Sequence, residues 1–328
     1  MNETKKNYLR ELVNEDGIIA ALAIDQRGSL KKMIATAANK ESNETDIVEF
    51  KKLISSELTT YASAILLDPE YGLPAAKLRA SNSGLLTAYE KTGYDTTAPG
   101  RMPDLLADWS ALRLKEAGAD AIKFMLYYDV DEDREINHKK QAFVERIGAE
   151  SANVGLPFFL ELMSYDANIE DTRSKEYAQV KPHKVIEMVR EFAKERYQVD
   201  VLKIEVPVNM DYVEGYANSS DIIYSTDEAL SFFKEQDKAT SNVPFIFLSA
   251  GVSAELFQRT LKFASKAGST FNGVLCGRAT WRGAIEPFAK EGKKAGEKWL
   301  RNEGRHNIEE LNEILKKNAM PLFNKVKL

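Results

Sequence analysis

The sequence predicts a single (β/α)8 (TIM) barrel over residues 1–328, with an extra helix ahead of the first strand and another behind the last. Three observations predict it. Eight short apolar runs recur along the chain, segments of helical periodicity lie between them, and the GxGxxG or GxxxxGK[ST] turn of an open doubly wound sheet is missing after the early runs.

The runs are IIAALAID (18–25), SAILLDPE (63–70), LLTAYE (85–90), DAIKFMLYY (120–128), PFFLELMSY (157–165), VDVLKIEVP (199–207), PFIFLSAG (244–251) and NGVLCGRAT (272–280). Rich in Val, Ile, Leu and Phe, they read as strands covered on both faces. Between them, SAELFQRTLKFASKAG puts Leu256, Phe257, Thr260, Leu261 and Ala264 on one face, with Ser253 to cap the start and Gly268 to end it. DLLADWSALRLKEAG repeats the pattern with Leu105, Leu106, Trp109 and Leu112 before Gly118. HKVIEMVREFAKERY does so with Val185, Met188, Val189 and Phe192. TKKNYLRELV forms the leading helix, and NIEELNEILKK the trailing one, with Asn307 and Glu310 spaced as a capping box. No linker, repeat or low-complexity tract divides the chain.

Composition narrows the function. With 44% hydrophobic and 29% charged residues the chain is ordinary for a soluble protein with a sizeable core, and its net charge of -5 lacks the basic footprint of a nucleic-acid binder. Cys276 is the lone cysteine, and His138, His183 and His306 are too far apart for a metal-ligand pair at helical spacing, so neither a metal nor another cofactor is expected. His138 and His183 read as solvated residues, the latter at a helix start. The charged N-terminal stretch lacks a signal-peptide core and no apolar run reaches membrane-span length; a cytoplasmic chain without a membrane partner is expected.

The reactive face of such a barrel is the C-terminal end of its strands. Polar residues late in each run are Asp25, Gln26 and Arg27; Asp68 and Glu70; Glu90; Lys123; Glu161; Lys203 and Glu205; Ser249 and Gly251; Gly277 and Arg278. The fourth, fifth and sixth runs thus place a lysine, a glutamate and a second lysine on neighbouring positions of one ring. Parity allows each to point at the barrel axis: Lys203 shares it with Val201, and Glu161 with Phe159.

A buried lysine is also what a structural ion pair contributes, and Lys203 with Glu205 fits that reading. Several charges on one axis tilt the balance toward chemistry, since apolar packing there is cheaper. A lysine amine is a nucleophile only when neutral, a form favoured by burial and by a neighbouring ammonium such as Lys123. It attacks carbonyls, and Glu161 is placed to move the protons that imine formation requires. Ser249 and Gly251 before a helix start, with Gly277 and Arg278 on the next run, offer backbone N–H groups and a guanidinium to a phosphate.

The strings ALAIDQRGSLKKM, ILLDPEYGLPA, LLTAYEKTGYD, IKFMLYYDVD, PFFLELMSYD, VDVLKIEVPVNM, LSAGVSAELFQ and NGVLCGRATW resemble the class I tagatose 1,6-bisphosphate aldolases of the bacterial tagatose 6-phosphate pathway, over essentially the whole chain. The resemblance implies a metal-independent lyase of lactose and galactose catabolism, cleaving the bisphosphate to dihydroxyacetone phosphate and D-glyceraldehyde 3-phosphate. It puts the Schiff-base lysine on Lys203, the acid/base glutamate on Glu161, the second lysine on Lys123 and the early aspartate on Asp25, beside Gln26. Phosphate contacts fall on Ser249, Gly251, Gly277 and Arg278, and Arg27 near the other end of the substrate. Homo-oligomerisation is expected of such an enzyme. The competing readings are an aldolase of the same mechanism for fructose 1,6-bisphosphate or a sulfonated ketose 1-phosphate, a sugar-phosphate-sensing regulatory barrel, and a metal-dependent class II aldolase, which the scattered histidines disfavour.

Overall fold

The structure is a computed structural model describing residues 2–91, 97–217, 221–241 and 243–326; residues 92–95 of the LLTAYEKTGYD string lie outside them. Eight parallel strands close into a barrel in chain order: β1 (Ile19–Ala23), β2 (Ala64–Leu67), β3 (Gly84–Ala88), β4 (Ala121–Tyr128), β5 (Phe158–Ser164), β6 (Val201–Ile204), β7 (Phe245–Leu248) and β8 (Gly273–Cys276). Each predicted run holds one strand, β3 starting one residue early at Gly84.

Alternation decides what fills the barrel. Ile19, Ala21 and Ala23 of β1, Ala64 and Leu66 of β2, Leu86 and Ala88 of β3, Ala121 of β4, Phe159 of β5, Val201 of β6, Ile246 of β7 and Leu275 of β8 form one buried cluster. Leu9, Leu12, Leu322 and Val326 join it, so the leading helix Glu3–Arg10 and the C-terminal tail close the lower mouth. Lys5 Nζ donates to Asp200 Oδ2 at 2.6 Å, tying that helix to the start of β6. Gly84 permits the approach: a Cβ there would lie 2.4 Å from the Glu11 carbonyl oxygen. The opposite faces of the strands pack against the surrounding helices in two further buried clusters.

The helix Ala254–Lys266 forms as predicted, with the Ser253 side chain accepting from Leu256 N. Three helix boundaries differ from expectation. The segment 104–118 is helical only over Ala111–Glu116, capped by Ser110; Leu105 is held extended by a bridge to Glu90, and Leu112 is 51% exposed. His183 lies inside a helix, Lys175–Phe192, because Ser174 caps it upstream and the helix carries through Pro182 at the loss of one backbone donor. Asn307 caps nothing: a π-helical segment, Leu300–Gly304, leads directly into the helix Arg305–Asn318, and the Asn307 amide donates to Thr280 O at 3.2 Å. Among the described residues, no helix is long and apolar enough to cross a membrane.

Candidate active site

Above the apolar filling, the inward positions turn polar on five chain segments, those of β1 and β3 to β6. Asp25 follows Ala23, Glu90 follows Ala88, Lys123 follows Ala121, and Glu161 and Lys203 follow Phe159 and Val201. The register then sets their heights. Glu161 is paired with Lys203 across β5 and β6, whereas its partner on β4 is Met125, with Lys123 opposite Phe159. Lys123 therefore roots two residues deeper than the other two, about 6.6 Å at ~3.3 Å per residue, rather than on the same ring. Strand stagger in a closed barrel is the cause, and linear parity does not reveal it.

From that depth the Lys123 side chain reaches upward and its ammonium ends among three carboxylates. Asp25 Oδ2 lies at 2.7 Å and Glu161 Oε2 at 3.1 Å, and Glu90 Oε1 makes a close third contact. Glu161 bridges, since its Oε1 lies 2.8 Å from Lys203 Nζ. Burial opposes charge on Lys123, yet Asp25, Glu90 and Glu161 together outweigh it and hold the amine well above the ordinary lysine range. The same balance works in reverse on Asp25 and Glu161: burial pushes them up, and the two lysines override it to hold both below their usual values. In Glu90 burial wins, and its carboxyl is pushed up.

A cavity of about 630 Å³ opens above this floor at the C-terminal ends of the strands. Nine of the ten predicted site residues line it: Asp25, Gln26, Arg27, Glu161, Lys203, Ser249, Gly251, Gly277 and Arg278. Lys123 does not reach its surface. Its charge is compensated at contact distance by carboxylates, so as a like charge acting on Lys203 it is largely neutralised. The structural ion pair between Lys203 and Glu205 does not form; Glu205 instead accepts from the backbone N and hydroxyl of Ser164, at 2.7 and 2.6 Å. Asp68 is a structural partner, buried against Lys51 outside the cavity.

The rim divides by charge. On the β7–β8 side, Ala250 and Gly251 adopt consecutive left-handed conformations (φ 48° and 78°), which turn the chain toward the Ser253 cap. A Cβ on Gly251 would sit 3.0 Å from Arg278 Nη2, so glycine suits both the backbone angle and the close approach of the guanidinium. Among the described residues no carboxylate pairs with Arg278, and partial burial followed by the nearby Arg282 and Arg173 charges pulls its pKa down. This corner is prepared for an anion. On the β1 side, Arg27 is already engaged, pairing with Glu70 through Nη1 and donating to the Glu90 carbonyl from Nη2 at 2.7 Å. Its Nε and the Oε1 of Gln26 are buried without a protein partner, both on residues that line the cavity.

Residues without an assigned role in the sequence reading also line the cavity: Ser29, Lys32, Tyr127 and Glu90. Glu90 is visible in the sequence as a strand-end polar residue, but nothing there pairs it with Lys123. Lys32 and Ser29 lie on the helix Gly28–Ala38, where only three-dimensional closure turns them toward the mouth.

Fold and cavity together define a (β/α)8 barrel enzyme with buried amines and carboxylates on its floor and a basic corner at its rim. Residues 19–283 match the DeoC/LacD family aldolase pattern. The chain is 63% identical over 324 residues to tagatose 1,6-diphosphate aldolase 2 of Enterococcus faecalis, covering 99% of this chain and 97% of that one. It is 55% identical over 319 residues to tagatose 1,6-diphosphate aldolase 1 of Streptococcus mutans, covering 97% and 98%. Among solved structures, a fructose-bisphosphate aldolase from Plasmodium falciparum shares the fold with a TM-score of 0.71 at 18% identity, covering 97% of this chain and 95% of that one. An archaeal fructose-1,6-bisphosphate aldolase, solved with its catalytic lysine covalently bound to a carbinolamine intermediate, does so at a TM-score of 0.61 and 15% identity, covering 96% and 100%. The chain belongs to the DeoC/LacD family of aldolases.

Proposed function

We propose that the chain is a class I aldolase that reversibly cleaves D-tagatose 1,6-bisphosphate to dihydroxyacetone phosphate and D-glyceraldehyde 3-phosphate through an imine on Lys203. The observation that carries the chemistry is the contact between Lys203 Nζ and Glu161 Oε1, at 2.8 Å on the floor of the cavity. The names of the relatives support the choice of sugar.

In this reading Glu161 takes a proton from the Lys203 ammonium, and the free amine adds to C2 of the ketose. Glu161 then returns a proton to the carbinolamine oxygen, which leaves as water and gives the iminium. Asp25, kept ionised by the lysines beside it, accepts the C4 hydroxyl proton as the C3–C4 electron pair moves toward the iminium. The aldehyde product departs, C3 of the enamine is protonated, and water added back across the imine releases the ketone and the amine. Lys123 acts as the cation that holds Asp25 and Glu161 apart at contact distances. Arg278 and the Ser249–Gly251 turn bind one phosphate; Gln26, Arg27 and Gly277 frame the rest of the cavity. Homo-oligomeric assembly and a cytoplasmic location belong to the same proposal.

The test is kcat/KM for D-tagatose 1,6-bisphosphate and D-fructose 1,6-bisphosphate on one preparation, with and without a chelator. The proposal expects the tagatose ester to be cleaved at least as well as the fructose ester, and chelation to change neither. Exclusive cleavage of the fructose ester would move the assignment to another ketose, and loss in chelator would remove the class I mechanism.

A further inference from the structure

We infer that Glu90 is a positioning residue for the cleavage reaction: it fixes the Lys123 ammonium between Asp25 and Glu161 and so sets the spacing of the two carboxylates that face the substrate. The inference rests on the aldolase reading given above. An ammonium has three N–H donors, and three carboxylates surround this one: Asp25 and Glu90 accept hydrogen bonds from it, and Glu161 lies in ion-pair contact at 3.1 Å. Two of the three, Asp25 and Glu161, are assigned steps in the reaction. The third has no assigned step, yet it is the most buried, 1% exposed against 9% for Asp25 and 8% for Glu161.

Glu90 is also the best anchored of the three. While Oε1 contacts Lys123, Oε2 accepts from the backbone N of Met125, two residues along β4, at 3.3 Å. Its own carbonyl accepts from Arg27 at 2.7 Å, and its backbone is bridged to Leu105. The carboxylate thus ties the tip of a long, flexible side chain back to the strand that carries it. Without it, one N–H of a buried ammonium would lack an acceptor, and the lysine would settle toward either Asp25 or Glu161. Around Glu90 the charged groups are Asp25, Lys123 and Glu161, with Arg27 on its carbonyl. Burial raises its carboxyl, so this is a costly place for an acidic side chain that a purely apolar filling would avoid.

The test compares wild type with E90Q and E90D in the full-length chain, with active sites counted by borohydride trapping of dihydroxyacetone phosphate. Glutamine has one acceptor oxygen and an NH2 donor, so it cannot accept from both Lys123 and Met125 N; aspartate keeps both acceptors on a shorter arm. The expected result is that E90Q lowers kcat per trapped site by about 10- to 100-fold, with KM within about threefold, and that E90D recovers part of the loss. A merely structural Glu90 would lower the thermal midpoint and the number of trappable sites while leaving kcat per site within twofold, and that result would overturn the inference. So would a rise in KM at unchanged kcat. Wild type that traps no adduct at all would overturn the aldolase reading, and this inference with it.

Discussion

Glu161 and Lys203 face one another across β5 and β6, in register, with Oε1 and Nζ 2.8 Å apart at the bottom of the cavity. Because the other carboxylate oxygen is 3.1 Å from Lys123, the orientation of Glu161 is fixed at both ends. A proton exchanged with Lys203 needs no side-chain rotation. Glu161→Gln keeps the shape and removes the basicity, so the rate of imine trapping with dihydroxyacetone phosphate should fall by roughly 100-fold while the adduct, once formed, still maps to Lys203. An unchanged trapping rate would place the proton transfers elsewhere.

Lys123→Met should be costly at neutral pH. It leaves Asp25, Glu90 and Glu161 buried together without the cation they share, and breaking a buried charge cluster by removing one partner costs about 3–5 kcal/mol. The sign with pH follows from the lowered carboxyls. In wild type the stability contributed by Asp25 and Glu161 is present above their unfolded pKa values, near ~4, and is lost as pH falls through the folded ones. In the variant, of the two lysines only Lys203 is left to hold these two groups down and Glu90 has lost its cation, so protonation relieves part of the buried charge. The stability gap between the two proteins should therefore narrow on acidification, as read from urea unfolding at pH 7 and pH 5; a gap that is constant or widens would contradict the arrangement.

Arg278 is held close to Gly251 and has no carboxylate partner among the described residues. Lysine at this position keeps the charge but loses the planar fork. Arg278→Lys should raise KM for the bisphosphate roughly tenfold or more, with a much smaller effect on cleavage of an unphosphorylated ketose. Equal losses on both substrates would make the arginine structural.

Away from the site, Lys140 is fully buried, donating to Tyr165 Oη at 3.0 Å with its ammonium 4.8 Å from the centre of the same ring. Burial lowers its pKa to about 8, only partly opposed by Glu132 and Asp129. Between that value and the ~10.4 of a free lysine, the unfolded chain holds a proton that the folded chain has released, so stability rises with pH across this window. Measured against Lys140→Met, wild type should gain roughly 1–3 kcal/mol in relative stability between pH 7.5 and pH 10. A flat difference would show that the amine stays charged inside the fold.

The barrel was legible in the sequence because strands buried on both faces leave uninterrupted apolar runs, and all eight did. Helix ends were less so. Leu105 and Leu112 fit a helical face as a pattern, but the bridge from Leu105 to Glu90 is a tertiary contact that outweighs local propensity. Asp25, Glu161, Lys203 and Arg278 were found because late positions on strands point to one mouth. The depth of Lys123 was hidden, since stagger between β4 and β5 is a property of barrel closure and not of either strand alone. Glu90 was hidden for a related reason: its partners, Lys123 and Met125 N, lie 33 and 35 residues away.

The central claim is that Lys203 carries the substrate, and borohydride reduction in the presence of dihydroxyacetone phosphate tests it most directly. Only an amine in imine linkage is made permanent by the reductant, so peptide mapping names the residue. The account predicts one adduct per chain on Lys203, and none in Lys203→Arg, whose guanidinium keeps the charge but forms no imine. An adduct on Lys123, or efficient cleavage of the bisphosphate by Lys203→Arg, would contradict it.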